Sequence, residues 1–516
     1  MAAPYRACIR SAHGPRLQYL LFIVLVFPFV SACSRAAANP QDTVIVALDD
    51  GPRNLDPRIG TDASSERLIQ LLFCSLVKRS PSYDLEPDLA LSWEIPDPTT
   101  YIFHLRTDAR FHDGRPLTSR DVLFTFRSVM NGSLQTPKAG TYRLVQSVEA
   151  PDDRTVIFKL KEPFAPFLWN LTRGAIGIVP DGSPADFAQH PVGSGAFKFV
   201  RFVPDSEVVL ARNDDYFGKK PIVSTVQFKI IPEAIVRALE LRKGSVDIAL
   251  SVLTPDMVEA LRDNRNLDVL QAPGTNYQYV AFNLKDPLFA DLRVRKAIAY
   301  AIDRESIIKY LWRGQAKLAT GVIPPNNWSY ASDVETYPYN PQKARDLLKD
   351  AGHEQLSFTY RTATDDTGRL LAAVLQQQLR EVGIQMDIRS NEFATFYSDV
   401  IKGNFQMYSL RWIGGNNDPD ILNFVFHSMM FPPNGANRGR YANAEVDRLI
   451  DFARREVDTE KRRAAYQQVQ RIVSEELPYV SLFYVDNVAV FNKRIGGMKL
   501  YPAGEYEFLT DVSIRN

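Results

Sequence analysis

The segment RWIGGNNDPDI, Arg411 to Ile421, crowds a tryptophan, two glycines, two asparagines and a proline held between aspartates into one short stretch. Trp412 offers flat apolar area with a single indole donor, and the backbone from Gly414 through Gly415 and Asn416 to Asn417 can approach another molecule closely, exposing amides and carbonyls. Asp418 and Asp420 carry carboxylates suited to capping a helix or to pairing with a cation. Arg411 can grip a carboxylate through two parallel hydrogen bonds, and serves equally well as a surface charge. This is chemistry for holding a molecule rather than for breaking bonds.

Bond-breaking machinery is missing from the sequence. There is no Gly-x-Ser-x-Gly elbow, no His-Glu-x-x-His, no glycine-rich phosphate loop ending in Lys-Ser or Lys-Thr, and no pair of cysteine ligands. The six histidines are scattered. His427 alone lies near the opening stretch, where a structural or surface role is the simpler reading. No cofactor or metal is implied, and an enzyme is the weaker expectation.

The elements that position these residues alternate between strand and helix patterns. TVIVAL from Thr43, YIFHL from Tyr101, RTVIFKL from Arg154 and IQMDIR from Ile384 are strand runs. Thr118 to Met130 is a helix with Thr118 and Asp121 spaced as a capping box. Pro232 to Lys243 is another, stopped by Gly244, and NPQKARDLLKDAGH carries Asn340 as cap, Pro341 in the first turn and Gly352 as stop. The class is α/β. At 516 residues the chain is too long for one core, so two or three domains are expected.

The first 32 residues read as a leader. Arg6, Arg10 and Arg16 precede the apolar run LQYLLFIVLVFPFV, which is too short to span a bilayer comfortably and contains Pro28. It ends in VSACS, which resembles the bacterial lipobox and makes Cys33 the expected acylated N-terminus. Residues 33–42 then form a small, polar tether to the lipid. Removing a leader with three arginines and no acidic residue takes the formal charge from +1 to −2. A near-neutral body gives no electrostatic case for nucleic acid. With Cys8 removed and Cys33 lipidated, only Cys74 remains, in the apolar run LIQLLFCSLV, where a buried and inert thiol is expected.

Several segments together resemble one family, the extracellular solute-binding proteins of family 5, receptors for ABC importers of peptides, nickel and other solutes. RFHDGRPLTSRDVLFTFRSVM from Arg110, PVGSGAFKFVRF, RNDDYFGKKP and YVAFNLKDPLFADLRVRKAIAYAIDRESII from Tyr279 are similar to its blocks, in order, over essentially the whole mature chain. Each block also has a local reading. HDG at His112 to Gly114 is a turn. Val294, Ala297, Ile298 and Ala301 form a core-facing helical stripe, with Arg293 and Arg295 solvated or salt-bridged.

The resemblance implies a class II periplasmic-binding-protein-like fold of two lobes with an additional inserted domain. The expected divisions are 43–82, 196–273 and 478–516 for lobe I, 83–195 for the insertion, and 274–477 for lobe II. It implies a monomeric receptor on the periplasmic or outer side, bound to the membrane only through its lipid. Such a receptor captures a peptide or other small solute and delivers it to permease and ATPase subunits. A sensing or cell-wall-recycling receptor for a non-peptide solute is the alternative. The opening segment follows the strand FQMYSL and faces the cleft in this fold, so Trp412 and the backbone from Gly414 to Asn417 become pocket wall. Tyr277 and Tyr279 of NYQYVAF are candidates for the facing wall, although strand alternation fits a core position equally.

One departure stands out against relatives that bind peptides. In those relatives an aspartate three residues after this tryptophan pairs with the peptide α-ammonium, and here that position is Gly415. Either Asp418 substitutes from nearby, or the solute is not a free-amino peptide.

Overall fold

The computed structural model describes residues 42–80, 84–184, 186–413 and 418–515. The expected lipidation site Cys33 and the pocket candidates Gly414, Gly415, Asn416 and Asn417 lie outside the described residues. Among those described, the largest sheet has eleven strands. Its order is Ile384–Asn391, Leu356–Ala363, Met407–Trp412, Leu267–Phe282, Tyr479–Asn492, Ile248–Leu250, Thr43–Leu48, Thr225–Ile230, Glu207–Arg212 and Phe197–Val203, with Ala316–Leu318 attached to Tyr479–Asn492. A separate four-stranded antiparallel sheet runs in the order Ala90–Asp97, Thr100–Leu105, Thr155–Leu160, Val145–Glu149.

Two long strands at the middle of the large sheet, Leu267–Phe282 and Tyr479–Asn492, pass from one hydrophobic core to another. Residues up to Leu267 and from Val488 onward pack into cores built from Val44, Phe73, Phe228 and Val258. From Tyr277 onward, and up to Tyr484, they pack into cores built from Ile298, Leu375, Val425 and Val469. The antiparallel register shifts between Ala272 and Asn276 at the changeover. Gly274 is required there, because a Cβ on it would sit 2.3 Å from the carbonyl oxygen of Val485. Asn487 Nδ2 straps the crossing, donating to the carbonyls of Tyr501 and Pro502 at 2.9 and 2.7 Å.

The local signals in the sequence translate directly into these elements. Strand Thr43–Leu48 pairs in parallel with both Thr225–Ile230 and Ile248–Leu250. Helix Ser119–Met130 starts after Thr118, whose backbone N–H donates to Asp121 Oδ2 at 2.7 Å. Asn340 Oδ1 accepts from the Lys343 N–H at 2.9 Å, capping helix Pro341–Asp350. The helix expected from Pro232 begins instead at Ala234, with Glu233 as the flanking residue, and ends on Gly244 at φ 78°. Val294, Ala297, Ile298 and Ala301 are fully buried. Arg293 pairs with Asp291 at 2.6 Å, and Arg295 is spent on backbone carbonyls of Phe289 and Glu476. Cys74 is buried, and burial pushes its thiol up to about 12, as expected of an inert side chain.

Candidate functional site

A cavity of about 1130 Å³ opens between segments that belong to the two groups of cores. One wall starts from helix Ala63–Leu72. Asp62 caps it, its Oδ1 accepting from the Ser65 N–H at 2.9 Å. Leu68, Ile69, Leu71 and Leu72 turn inward to the core, so Ala63, Glu66, Arg67 and Gln70, spaced three and four residues apart, share the face that lines the cavity. The short helix Pro137–Tyr142 continues this wall. Tyr142 anchors it, donating to the Asn170 carbonyl at 2.8 Å and packing edge-on against Phe126.

Ile413, Asp418, Asp420, Asn423 and Phe424 line the opposite side. Ile413 and Phe424 leave substantial apolar surface open, at 63% and 41% exposure. Helix Ile421–Phe426 divides this cavity from a second of about 570 Å³. Its Ile421, Asn423 and Phe424 face the larger space while Leu422 and Phe426 face the smaller one.

Most charged groups around the large cavity are already engaged. Arg79 pairs with Glu505 at 3.0 Å, and Arg173 Nε donates to Asp88 Oδ2 at 2.6 Å. Arg462 reaches Asp418 at 2.8 Å, and Arg454 Nε lies 2.7 Å from Asp420 Oδ1. Burial raises the Asp420 carboxyl to about 6 despite the opposing Arg454. Glu66 is different: among the described residues no ion pair or hydrogen bond to its carboxylate is found, and burial raises it to about 7 against the pull of Lys138. Lys138 itself donates to the Pro57 carbonyl at 2.8 Å rather than to Glu66.

The sequence candidates separate under this geometry. Asp418 lines the cavity, but its Oδ2 is taken by Arg462 while its Oδ1 accepts the Asp420 N–H at 2.8 Å, closing a tight turn. Neither Asp418 nor Asp420 caps helix Ile421–Phe426 through its side chain, because the one is committed to Arg462 and the other to Arg454. Trp412 is half-buried against the lobe core, edge-on to Phe424 at 6.2 Å and beneath the Arg438 guanidinium at 5.0 Å. It supports the wall through Phe424. Arg411 turns away from the cavity, its Nε donating to Gln278 Oε1 at 3.1 Å and its guanidinium lying 5.0 Å over Trp312.

Tyr277 and Tyr279 do not line the large cavity. Alternation along strand Leu267–Phe282 puts both on its inner face, stacked at 5.5 Å and almost wholly buried. Tyr277 borders the smaller inner cavity, its hydroxyl 2.7 Å from Ser481 Oγ. His427 is buried, with Nδ1 accepting from the Met429 N–H at 3.1 Å, and plays a structural part. Residues the sequence reading passed over are Glu66, Arg67 and Gln70. Their signal was the polar face of SSERLIQLLF, visible only if that run is read as an amphipathic helix rather than as the apolar surroundings of Cys74.

A cavity walled from two sides, with apolar surface and fixed ion pairs, has the form of a small-solute site. Comparisons with known proteins agree with that reading. The family model for bacterial extracellular solute-binding proteins, family 5, middle region, matches residues 84–428. The dipeptide-binding protein of Escherichia coli is 28% identical over 92% of this chain and 96% of its own length. A probable di/tripeptide-binding protein of Pseudomonas aeruginosa is 32% identical over 82% of this chain and 86% of its own. Among solved structures, the periplasmic binding protein DppA of Helicobacter pylori, in complex with the peptide STSA, superposes with a TM-score of 0.79 at 28% identity. That likeness covers 92% of this chain and 98% of the other. With two lobes of α/β structure, matching motifs in order and relatives of this extent, the chain belongs to the bacterial extracellular solute-binding proteins of family 5.

Proposed function

We propose that this protein is a lipid-anchored receptor that captures a short peptide between its lobes and hands it to an ABC importer. The observation that carries the reading is the cavity of about 1130 Å³ walled by helix Ala63–Leu72 on one side and Asp418–Phe424 on the other. Pockets of roughly 300–1,000 Å³ enclose drug-sized ligands, so this space suits a solute of a few residues. The di- and tripeptide specificities in the names of its relatives support a peptide over other solutes. The hinge in this reading is the strand crossing at Ala272–Asn276, close to the expected boundary between residues 273 and 274. Native mass spectrometry of freshly purified protein tests it. The expected result is an adduct that fragments as a short peptide. A metal chelate or other non-peptide adduct, or bare protein that also ignores a pooled mixture of di- and tripeptides, contradicts it.

The anchor is a separate part of the proposal. Arginines, an apolar core and small residues precede Cys33 in the order an acylated leader requires. Two or more acyl chains hold a protein on a membrane where one chain gives only marginal binding. Replacing Cys33 by serine is expected to move the protein from the membrane fraction to the soluble one. A Cys33→Ser protein that stays with the membrane contradicts the anchor and leaves the solute-binding role untouched.

A further inference from the structure

A zwitterionic solute that leaves water brings a cation needing a fixed counter-charge, since an unpaired charge in a partly dry site is costly. Among the described carboxylates lining the large cavity, Asp418, Asp420 and Glu505 are held by Arg462, Arg454 and Arg79. Glu66 lies on the cavity face of helix Ala63–Leu72 with no such partner. Helix geometry fixes it there, because the opposite face of the helix carries Leu68, Leu71 and Leu72 into the core. A mostly buried carboxylate without a partner is a poor choice for stability alone, and its position opposite Ile413 and Phe424 leaves it open to a bound molecule.

From this arrangement we infer that Glu66 is the counter-charge for the solute's ammonium group, so that the first lobe, not the segment after Trp412, selects for a free amine. The inference rests on the peptide reading above. Arg67, on the same face and without a carboxylate partner among the described residues, stands against the Tyr506 ring at 5.6 Å and leaves a cation available for the solute's acidic end.

The pH behaviour follows with its sign. The charged groups acting on Glu66 are Lys138 from the neighbouring short helix, Arg79 from strand Val77–Arg79, and Asp62 and Arg67 from its own helix. With its carboxyl raised from 4.5 to about 7, the folded protein holds a proton that the unfolded chain has released. That contribution to stability is present below about 4.5 and is lost as pH rises through about 7. An ammonium binds the ionised form, so affinity for a free-amine solute rises with pH toward about 7 and binding below that pH expels a proton. Asp420, raised to about 6, lines the same cavity, so the share of Glu66 is read as the difference between the wild type and a Glu66 variant.

Calorimetric titrations with tri-alanine and N-acetyl-tri-alanine, against the wild type, Glu66→Gln and Glu66→Asp, test the inference. Glu66→Gln is expected to weaken tri-alanine roughly ten- to a hundredfold, as loss of a charge-assisted hydrogen bond does, and to leave the acetylated peptide unchanged. Glu66→Asp is expected to retain part of the preference, and the wild type should release more protons on binding tri-alanine at pH 6 than Glu66→Gln does, the difference being the share of Glu66. Tri-alanine bound equally by wild type and Glu66→Gln, with the same proton uptake or release, overturns the inference while sparing the peptide reading. A wild type that binds neither peptide overturns both.

Discussion

Replacing Arg462 by methionine is expected to remove about 3–5 kcal/mol of folding free energy at neutral pH, the cost of leaving one member of a buried ion pair behind. Arg462 Nη2 and Asp418 Oδ2 are 2.8 Å apart, and the two side chains keep only 8% and 7% of their exposure. Methionine fills much of the volume of the arginine stem near Trp328 and Tyr466, whose ring centres lie 5.2 and 5.8 Å from the guanidinium carbon. The loss therefore falls mainly on the stranded carboxylate. Removing the second charge as well, in Asp418→Asn with Arg462→Met, is expected to restore a large part of it.

Urea denaturation of the single and double variants at pH 7 reads the loss through the midpoint at unchanged slope. A deficit under 1 kcal/mol at pH 7 would mean that water reaches the pair and that the wall at Asp418 is softer than described.

Much of the framework was legible in the sequence, and for local reasons. Thr118 with Asp121, Asn340 with Pro341, and the period of Val294, Ala297, Ile298 and Ala301 each act within a turn or two of helix, so their structure follows from neighbours in the chain. The site was legible only in part. Glu66 and Asp420 meet across a space whose walls are hundreds of residues apart in sequence, and no local period reveals which polar face looks across a cleft. Tyr277 and Tyr279 illustrate the converse. Alternation placed them on one face of a strand but did not say that this face was interior, which depends on strand Tyr479–Asn492 and its Tyr479 and Tyr484 rings packing against them.

Saturation with the natural solute is expected to stabilise the folded protein by about 2.7 kcal/mol at a hundredfold excess over the dissociation constant, because the unfolded chain has no cleft to bind it. In the proposed complex the solute covers the open apolar surface of Ile413 and Phe424 and its ammonium pairs with Glu66. Two long strands tie the lobes together at the irregular pairing of Ala272 to Asn276, where neither core extends across. In the proposed hinge, rotation about this crossing is expected to move the walls while the strand pairs on either side stay intact. Gly274 packs against Val485 too closely for a larger residue, so the crossing is tight rather than slack.

Small-angle scattering of the protein with and without a peptide whose binding calorimetry has established tests whether the two lobes close on a solute. A smaller radius of gyration is expected at saturation, from lobes closing over the solute. A saturated complex with the same radius of gyration as the free protein would contradict a hinged receptor.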